Sequence, residues 1–135
     1  MLKVTCALII QGKELLITQN SSKSDHPFQW EFPGGKIKID EASEDCIKRE
    51  IDEELGVEIE IFSTMKPITF DYGFKTIKLF PFICSIKNGK IKLTEHHDCK
   101  WIKLNELKSI DFSGADKKLI EQEQHRAILK EYIGK

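Results

Sequence analysis

The stretch "EFPGGKIKIDEASEDCIKREIDEELGV", residues 31–57, joins a glycine turn to an acidic segment with helical periodicity. Its apolar side chains recur every four residues up to Leu55, which places them on one face of a helix. Acidic residues crowd the start of the segment, where the helix dipole favours negative charge. Gly56 follows as a C-terminal cap should. The pattern predicts a helix that begins near Ala42 and ends at Leu55.

Three carboxylates lie within five positions of this helix: Glu50, Glu53 and Glu54. Like charges three and four residues apart repel by about 0.2 to 0.5 kcal/mol per pair, so a purely solvated acidic face is a costly alternative. A divalent cation would remove the repulsion, and Mg²⁺ is commonly held by a few carboxylates together with substrate phosphates. Gly34 and Gly35 lack a Cβ, which lets a backbone carbonyl approach a metal and leaves room for a phosphate chain. The stretch therefore indicates a magnesium and phosphate site.

The spacing from Gly35 through Glu41 to "REIDEELGV", residues 49–57, resembles the signature box of the Nudix hydrolases, here residues 35–57. "WEFPGGKI" before the box and "FSGAD" near the end of the chain are similar to the MutT-type nucleoside triphosphate pyrophosphohydrolases. The resemblance covers nearly the whole chain. It implies an α/β fold, with a mixed β-sheet sandwiched between α-helices, and the hydrolysis of a nucleoside diphosphate linked to another moiety.

The resemblance also implies roles for individual residues of the box. Glu50, Glu53 and Glu54 would hold Mg²⁺ or Mn²⁺, with the Gly34 carbonyl as a further ligand. Arg49 would orient these carboxylates through charge-assisted hydrogen bonds. In this scheme a metal-activated water attacks a phosphorus of the triphosphate, the β position in the MutT type, and gives nucleoside monophosphate and pyrophosphate. A box carboxylate, Glu50 or Glu53, would accept the proton of that water.

Two further acidic residues, Glu41 and Glu95, each have two possible roles. Glu41 is expected to buttress the loop and the start of the helix, with a plain first-turn acid as the alternative. Glu95 lies six residues before Trp101, where related enzymes often carry a further acidic ligand or base; an exposed loop residue is the alternative. His96 and His97 follow directly, but oxygen ligands suit Mg²⁺ better than imidazole, so they are interpreted as loop residues.

Other residues are candidates for contacts with the nucleotide. Gly35 and Lys36 are placed to contact the leaving phosphates. Phe32 is a candidate to line or stack on the base, with core packing as the alternative, and Lys75 aligns with a basic residue near the base pocket, with a surface lysine as the alternative. Gln19 stands where the MutT type has a basic residue, so its contacts with phosphate or base stay open.

Asp116 is the most informative departure from the MutT type, because the enzymes that act on oxidised guanine carry Asn there. An ionised Asp only accepts hydrogen bonds, which suits the amino group of cytosine or the N1 and N2 hydrogens of guanine and 8-oxoguanine. A helix N-cap is the alternative role. The sequence therefore favours 8-oxo-dGTP or CTP and dCTP derivatives as substrates, with dinucleoside polyphosphates or nucleotide sugars as another possibility.

Strand and turn patterns occupy the rest of the chain. A hairpin is predicted at Gly12, another at Asn88 and Gly89, and a short strand around Trp101. Further strands are predicted at residues 57–62, 66–71, 74–86 and 91–93. One last helix is predicted over residues 113–133, and the residues expected to pack on the sheet are Leu119, Ile120, Ala127, Ile128 and Tyr132.

Length and charge narrow the class of protein. The 135 residues are interpreted as one domain, residues 1–135, with Mg²⁺ as the cofactor, Mn²⁺ as a substitute and a nucleotide as the partner. A net charge of −1 argues against a duplex nucleic acid partner. A non-catalytic nucleotide-sensing module is a remote alternative, because the box keeps its glutamates.

Four cysteines without a CxxC pair, Cys6, Cys46, Cys84 and Cys99, indicate free thiols in a reducing cytoplasm. The apolar start of the chain is too short for a membrane span, so no membrane partner is expected. A monomer or a homodimer is compatible with these features.

Overall fold

The computed structural model describes residues 1–133 and places helices on both faces of a mixed β-sheet. The strands are β1 (Leu2–Gln11), β2 (Glu14–Gln19), β3 (Trp30–Glu31), β4 (Gly34–Lys36), β5 (Glu58–Thr64), β6 (Ile68–Asp71), β7 (Thr76–Asn88) and β8 (Asp98–Lys103). The helices are α1 (Ser43–Leu55), α2 (Gly114–Glu121) and α3 (Glu123–Tyr132), with a 3₁₀ helix at Leu104–Ser109. The architecture confirms the predicted fold class.

Strand β1 organises the sheet. It runs parallel to β7, from the pair Leu2 and Ile77 to the pair Ile9 and Cys84. It also pairs antiparallel with β4 and, through the predicted hairpin at Gly12, with β2. Because side chains alternate between the two faces of a strand, Leu8 enters one core and Ile9 the other. Burial on both faces explains the uninterrupted apolar run of β1 in the sequence.

Helix α1 covers one face of the sheet as its periodicity predicted. Ile47, Ile51 and Leu55 are fully buried against Ile9 of β1. Gly56 adopts a left-handed conformation with φ 68° and its N–H bonds to a carbonyl of the last turn. Helices α2 and α3 cover the opposite face with the second core. This packing leaves the acidic side of α1 beside the glycine turn that precedes it.

The predicted strand at residues 91–93 is wrong. Strand β7 ends at Asn88, and the chain then runs along the end of α1 instead of returning as a hairpin. The Lys92 N–H donates to the Leu55 carbonyl at 2.8 Å and the Thr94 N–H to the Glu54 carbonyl at 3.2 Å. The last carbonyls of a helix have no partner inside the helix, so they compete successfully for these donors.

The single last helix predicted over residues 113–133 is two helices. Gln122 breaks it with an extended conformation, φ −74° and ψ 118°. Side chains of α3 satisfy the freed carbonyls of α2: Nδ1 of His125 donates to Leu119 at 2.9 Å, and Arg126 donates to Ile120 at 2.7 Å. Because of the break, the apolar face of α3 is not the one that a continuous helix over residues 113–133 would present to the sheet.

This difference changes which residues of α3 pack on the sheet. Ala127, predicted to pack, is exposed, and Leu129 and His125 are buried instead. Leu119 and Ile120 of α2 are buried as predicted, and Ile128 and Tyr132 are partly buried against the same core. The prediction was therefore right for α2 and only partly right for α3.

The cysteines are unpaired, as predicted. Cys6, Cys46 and Cys84 are buried and Cys99 is half-buried. Burial raises the pKa of Cys84 to about 12, so this thiol stays protonated. No helix within residues 1–133 is long and apolar enough to cross a bilayer.

Candidate active site

The predicted glycine turn is strand β4, which pairs with β1 on one side and lies against α1 on the other. Gly34 pairs with Cys6 of β1, and a Cβ on Gly34 would collide with the Thr5 carbonyl. A Cβ on Gly35 would collide with the Glu50 carboxylate. Gly34 therefore needs glycine because backbone atoms lie in the way, whereas a side chain at Gly35 would displace the Glu50 carboxylate. The consequence is that the acidic face of α1 lies directly beside the backbone of β4.

Arg49 connects the turn to the carboxylates of α1. Its Nε and Nη2 donate to the two oxygens of Glu41 at 2.8 and 3.0 Å. Its Nη1 donates to Glu50 at 2.9 Å and to Glu53 at 3.3 Å, and Nη2 also donates to the Lys36 carbonyl at 3.1 Å. This network gives Arg49 the contacts that an orienting residue requires.

Glu41 anchors the other side of that network. The Arg49 hydrogen bonds, followed by the one from the Lys38 N–H, hold the pKa of Glu41 at about 2. Glu41 is therefore ionised throughout the physiological range. Its contacts are those of a residue that fixes the loop before α1, as the sequence suggested.

Burial and mutual repulsion perturb the carboxylates that face the turn. Glu54 is 4% exposed, and burial raises its pKa to about 9, with the charges of Glu31, Glu50, Glu95 and Glu53 adding to the rise. Burial also raises the pKa of Glu50, against the opposing hydrogen bond from Arg49. Arg49 pairs with Glu50, whereas the ion-pair partner of Glu54 among the described residues is His96. Carboxylate oxygens are suitable ligands for a divalent ion, and the charge of such an ion would offset the repulsion among them.

An acidic cavity of about 350 Å³ lies at the end of α1. Predicted site residues Gly34, Glu54 and Glu95 line it together with Glu31 and His96. Neither Glu50 nor Glu53 is among its lining residues: the Glu50 carboxylate lies against Gly35, and the Glu53 side chain is 53% exposed and bonded to Arg49. The structure thus brings three of the five predicted metal ligands to this cavity.

Two members of this cavity were not recognised from the sequence as site residues. Nε2 of His96 lies 3.3 Å from Glu31 Oε2 and 3.5 Å from Glu54 Oε1. Although His96 lies in a loop, its side chain is only 5% exposed, which corrects its interpretation as an ordinary loop residue. His97, by contrast, is exposed and makes an edge contact with the Phe28 ring. In the sequence, the only local indication that Glu31 belongs to the site is its position three residues before Gly34.

A second cavity, of about 230 Å³, lies on the other side of the same turn. Its lining residues include the predicted substrate residues Phe32, Gly35, Lys36, Lys75 and Asp116. Glu31 and Gly34 line both cavities, so the two spaces share a wall. The first cavity is lined by three glutamates, and the lining of the second includes aromatic and aliphatic side chains, among which are Tyr72, Ile77 and Leu79.

Asp116 lies at the base of the second cavity. It is 5% exposed, and its Oδ2 accepts the Phe32 N–H at 3.0 Å. The N-cap of α2 is Ser113, so the alternative role of Asp116 as a cap is wrong. Burial, and then the charge of Glu31, raise the pKa of Asp116 far above its usual range. Burial therefore favours the protonated form of Asp116, in contrast to the ionised acceptor expected from the sequence.

The remaining predicted substrate residues differ in how they meet this cavity. Phe32 borders it, but its ring is buried and stacks on Phe112 with centroids 5.0 Å apart, as in the core-packing alternative. Nζ of Lys75 lies 3.3 Å from Asp25 and 5.3 Å from the Phe74 ring centroid, at the cavity wall.

Gln19 is not brought to either cavity. Its Nε2 donates to the Phe28 carbonyl at 3.1 Å, and its own carbonyl accepts the His97 N–H at 2.9 Å. These contacts hold two loops together at the end of β2. The prediction that Gln19 contacts substrate has no support from its position.

Comparison with known proteins agrees with this arrangement. The family model described as NUDIX domain matches residues 1–122. An 8-oxo-dGTP diphosphatase of Buchnera aphidicola subsp. Schizaphis graminum is 33% identical over 94% of this chain and 96% of its own length. A CTP pyrophosphohydrolase of Escherichia coli is 28% identical, covering 90% of each chain. The crystal structure of a MutT protein from Methanosarcina mazei superposes with a TM-score of 0.83 at 23% identity, over 96% and 95% of the two chains.

The site and these relatives define a hydrolase that acts on phosphoric anhydrides. The chain belongs to the Nudix hydrolase family. Enzymes of this family generally use a divalent metal ion, which the carboxylates around the β4 turn are suited to hold.

Proposed function

We propose that this protein hydrolyses nucleoside triphosphates, with Mg²⁺ or Mn²⁺, to nucleoside monophosphate and pyrophosphate. The observation that carries the proposal is the shared wall between the acidic cavity and the cavity of Asp116, formed by Glu31 and Gly34. A triphosphate lying across that wall would place its phosphates by the carboxylates and its base beside Asp116. The names of the relatives support 8-oxo-dGTP and CTP or dCTP derivatives as substrates.

Glu50, Glu53, Glu54 and Glu95, with the Gly34 carbonyl, would hold the metal. A bound divalent ion supplies charge neutralisation and an acidified water in such a site. Glu50 or Glu53 accepts the proton of the water that attacks the β phosphorus in line. Burial raises the pKa of Glu50 above its ordinary value, so we favour it as the acceptor of the two.

Other groups of the chain position the substrate. Arg49 holds Glu41, Glu50 and Glu53 in one arrangement through its hydrogen bonds. Lys36 lies at the wall of the second cavity next to the glycine turn, where its ammonium can approach the leaving phosphates. The Gly35 backbone leaves the close approach free of a side chain.

Base recognition in this proposal rests on Asp116. A protonated carboxyl both donates and accepts hydrogen bonds, so it can pair with a donor and acceptor edge such as N4 and N3 of cytosine or O6 and N1 of guanine. Each of these base edges has one hydrogen-bond donor and one acceptor, so a protonated carboxyl can pair with either base. Cytosine and oxidised guanine nucleotides are therefore both retained as candidates.

The decisive experiment is a panel of nucleotides with both products quantified. The panel contains 8-oxo-dGTP, dGTP, CTP, dCTP, a dinucleoside polyphosphate and a nucleotide sugar, each with Mg²⁺, with Mn²⁺ and with EDTA. The proposal expects equal amounts of nucleoside monophosphate and pyrophosphate from a triphosphate, only with metal. Faster turnover of the dinucleoside polyphosphate or nucleotide sugar would replace it with that alternative, and metal-dependent binding without any turnover would indicate a sensing module.

A further inference from the structure

The cluster of Glu31, Glu54 and His96 combines donors from three separate parts of the chain. Glu31 belongs to β3, Glu54 to the last turn of α1 and His96 to the loop that runs along the end of α1. One ligand atom from each lies within 4.8 Å of the other two. Three convergent donors at this separation surround a space of the size that a metal ion occupies.

The polar atoms of this cluster are buried and incompletely paired. The side chains of Glu54 and His96 are 6% and 5% exposed. Within the described residues, Glu54 Oε2 and His96 Nδ1 have no hydrogen-bond partner. Leaving a buried polar group unpaired costs about 1 to 3 kcal/mol. Glu54 Oε2 is thus a buried oxygen atom that no described hydrogen-bond donor satisfies.

The imidazole geometry suits a cation as well as a hydrogen bond. Nε2 of His96 faces two carboxyl groups, at 3.3 and 3.5 Å, but a neutral ring has only one N–H to share between them. When the ring proton lies on Nδ1, the Nε2 lone pair faces the two carboxyl groups, and either a proton of Glu54 or a cation must lie between them. With a cation there, Nε2 and one oxygen from each glutamate become ligands.

We propose that Glu31, Glu54 and His96 form a mixed nitrogen and oxygen site for a first-row transition dication, next to the carboxylates proposed to hold Mg²⁺. Imidazole is a good ligand for ions such as Co²⁺ and Zn²⁺, whereas Mg²⁺ prefers oxygen ligands and retained waters. Two carboxylates balance the charge of one dication. The acidic cavity provides an entry path, and the side chains of Asn20, Ser21 and Ser24 along it offer further oxygen atoms.

The inference is independent of which nucleotide is hydrolysed, because it rests on the contacts of the three residues. Glu54 is shared with the proposed magnesium ligands, so the two ion positions would be neighbours. Glu31 also lines the cavity of Asp116. A transition dication held by this cluster would therefore lie between the box carboxylates and the space proposed for the base.

The test uses the full-length, tag-free protein after removal of metal, with Co²⁺ and Mg²⁺ as probes. Isothermal titration calorimetry and the visible absorption of Co²⁺ are recorded for wild type, H96Q and the matched control H97Q. We expect wild type and H97Q to bind Co²⁺ equally and more tightly than Mg²⁺. We expect H96Q to lose at least about tenfold in Co²⁺ affinity, with a changed Co²⁺ spectrum and unchanged Mg²⁺ affinity.

A spectroscopic measurement on wild type keeps the test valid if H96Q does not fold. Electron spin echo modulation of bound Cu²⁺, an ion that imidazole binds well, reports coupled nitrogen, and the proposal expects a histidine ¹⁴N signal that persists in H97Q. Absence of nitrogen coupling in wild type would overturn it, as would a folded H96Q with wild-type Co²⁺ affinity and spectrum. Mg²⁺-dependent hydrolysis is assayed separately, so failure of this site and failure of the proposed reaction are distinguishable.

Discussion

Gly35 and the carboxylate of Glu50 are so close that no side chain fits between them. We expect G35A to force this contact apart, destabilising the fold by about 1 to 3 kcal/mol, as overpacking does, and lowering turnover. Urea unfolding and steady-state kinetics measure the two effects. E50D shortens the opposing side chain, so G35A/E50D should regain stability relative to G35A. Wild-type stability of G35A would contradict the close approach.

Substitution of Arg49 tests whether the carboxylates need a guanidinium group, which can donate several hydrogen bonds at once. R49K keeps the charge but loses the simultaneous contacts with Glu41, Glu50 and Lys36. We expect kcat to fall by about tenfold to a hundredfold, by analogy with the loss of groups that orient metal ligands. K48Q is the control, because Lys48 makes only an exposed contact with Glu44 at 3.8 Å. Equal kcat values for R49K and K48Q would remove the orienting role.

Glu53 tests the proposed chemistry with little risk to the fold. Its side chain is 53% exposed, so E53Q should unfold like wild type while kcat falls by about 10² to 10⁴, the range for loss of a positioned acid or base. D52N alters the adjacent exposed carboxylate and should retain wild-type kcat. Near-normal kcat of E53Q, at saturating Mg²⁺, would exclude Glu53 as ligand and proton acceptor.

Glu54 predicts how the stability of the metal-free protein depends on pH. Its pKa is about 9 in the folded protein against an ordinary value of 4.5, so the folded state binds the proton more tightly. Its stabilising contribution is therefore complete below about pH 4.5 and is lost as pH rises toward 9, with a slope of at most about 1.4 kcal/mol per pH unit.

The measurement is urea unfolding with EDTA at several pH values between 6 and 9. E54Q removes the titrating group, so the difference in free energy of unfolding between E54Q and wild type should grow with pH. Mn²⁺ should restore wild-type stability at the alkaline end. A difference that is constant across this pH range would show that Glu54 has an ordinary pKa.

Asp116 tests whether a buried carboxyl is protonated. D116N resembles the protonated form, so we expect little change in stability at pH 7 but an altered ratio of kcat/KM for cytosine and guanine nucleotides. D116A leaves the Phe32 N–H unpaired and should cost about 1 to 3 kcal/mol. If D116N were as unstable as D116A, Asp116 would be ionised in the wild-type protein.

Features encoded by neighbouring residues were predictable from the sequence. Helix α1 was predicted because its periodicity, its acidic first turn and Gly56 are all local signals. The Nudix box followed from spacing along the same segment. The resemblance to the MutT type then supplied the mixed sheet, which periodicity alone could not order.

Features that depend on distant parts of the chain were not predictable in the same way. His96 and Glu31 are 65 residues apart in sequence, and no local pattern brings them together. Part of the loop after β7 was interpreted as a strand. Its N–H groups instead bond to the last carbonyls of α1, and this contact depends on tertiary structure that no local pattern shows. Asp116 was expected to be ionised because the sequence does not show that it is buried. Its burial depends on how α2 meets the sheet.

The loop after β7 ties the end of α1 through the Lys92 and Thr94 N–H groups. The same loop carries Glu95 and His96, and the same helix end carries Glu54, so fraying of that helix turn would disperse the acidic cavity. Protection of the Lys92 and Thr94 amides against hydrogen exchange would then report the integrity of the site. Metal binding should slow the exchange of both amides together, as one cooperative opening.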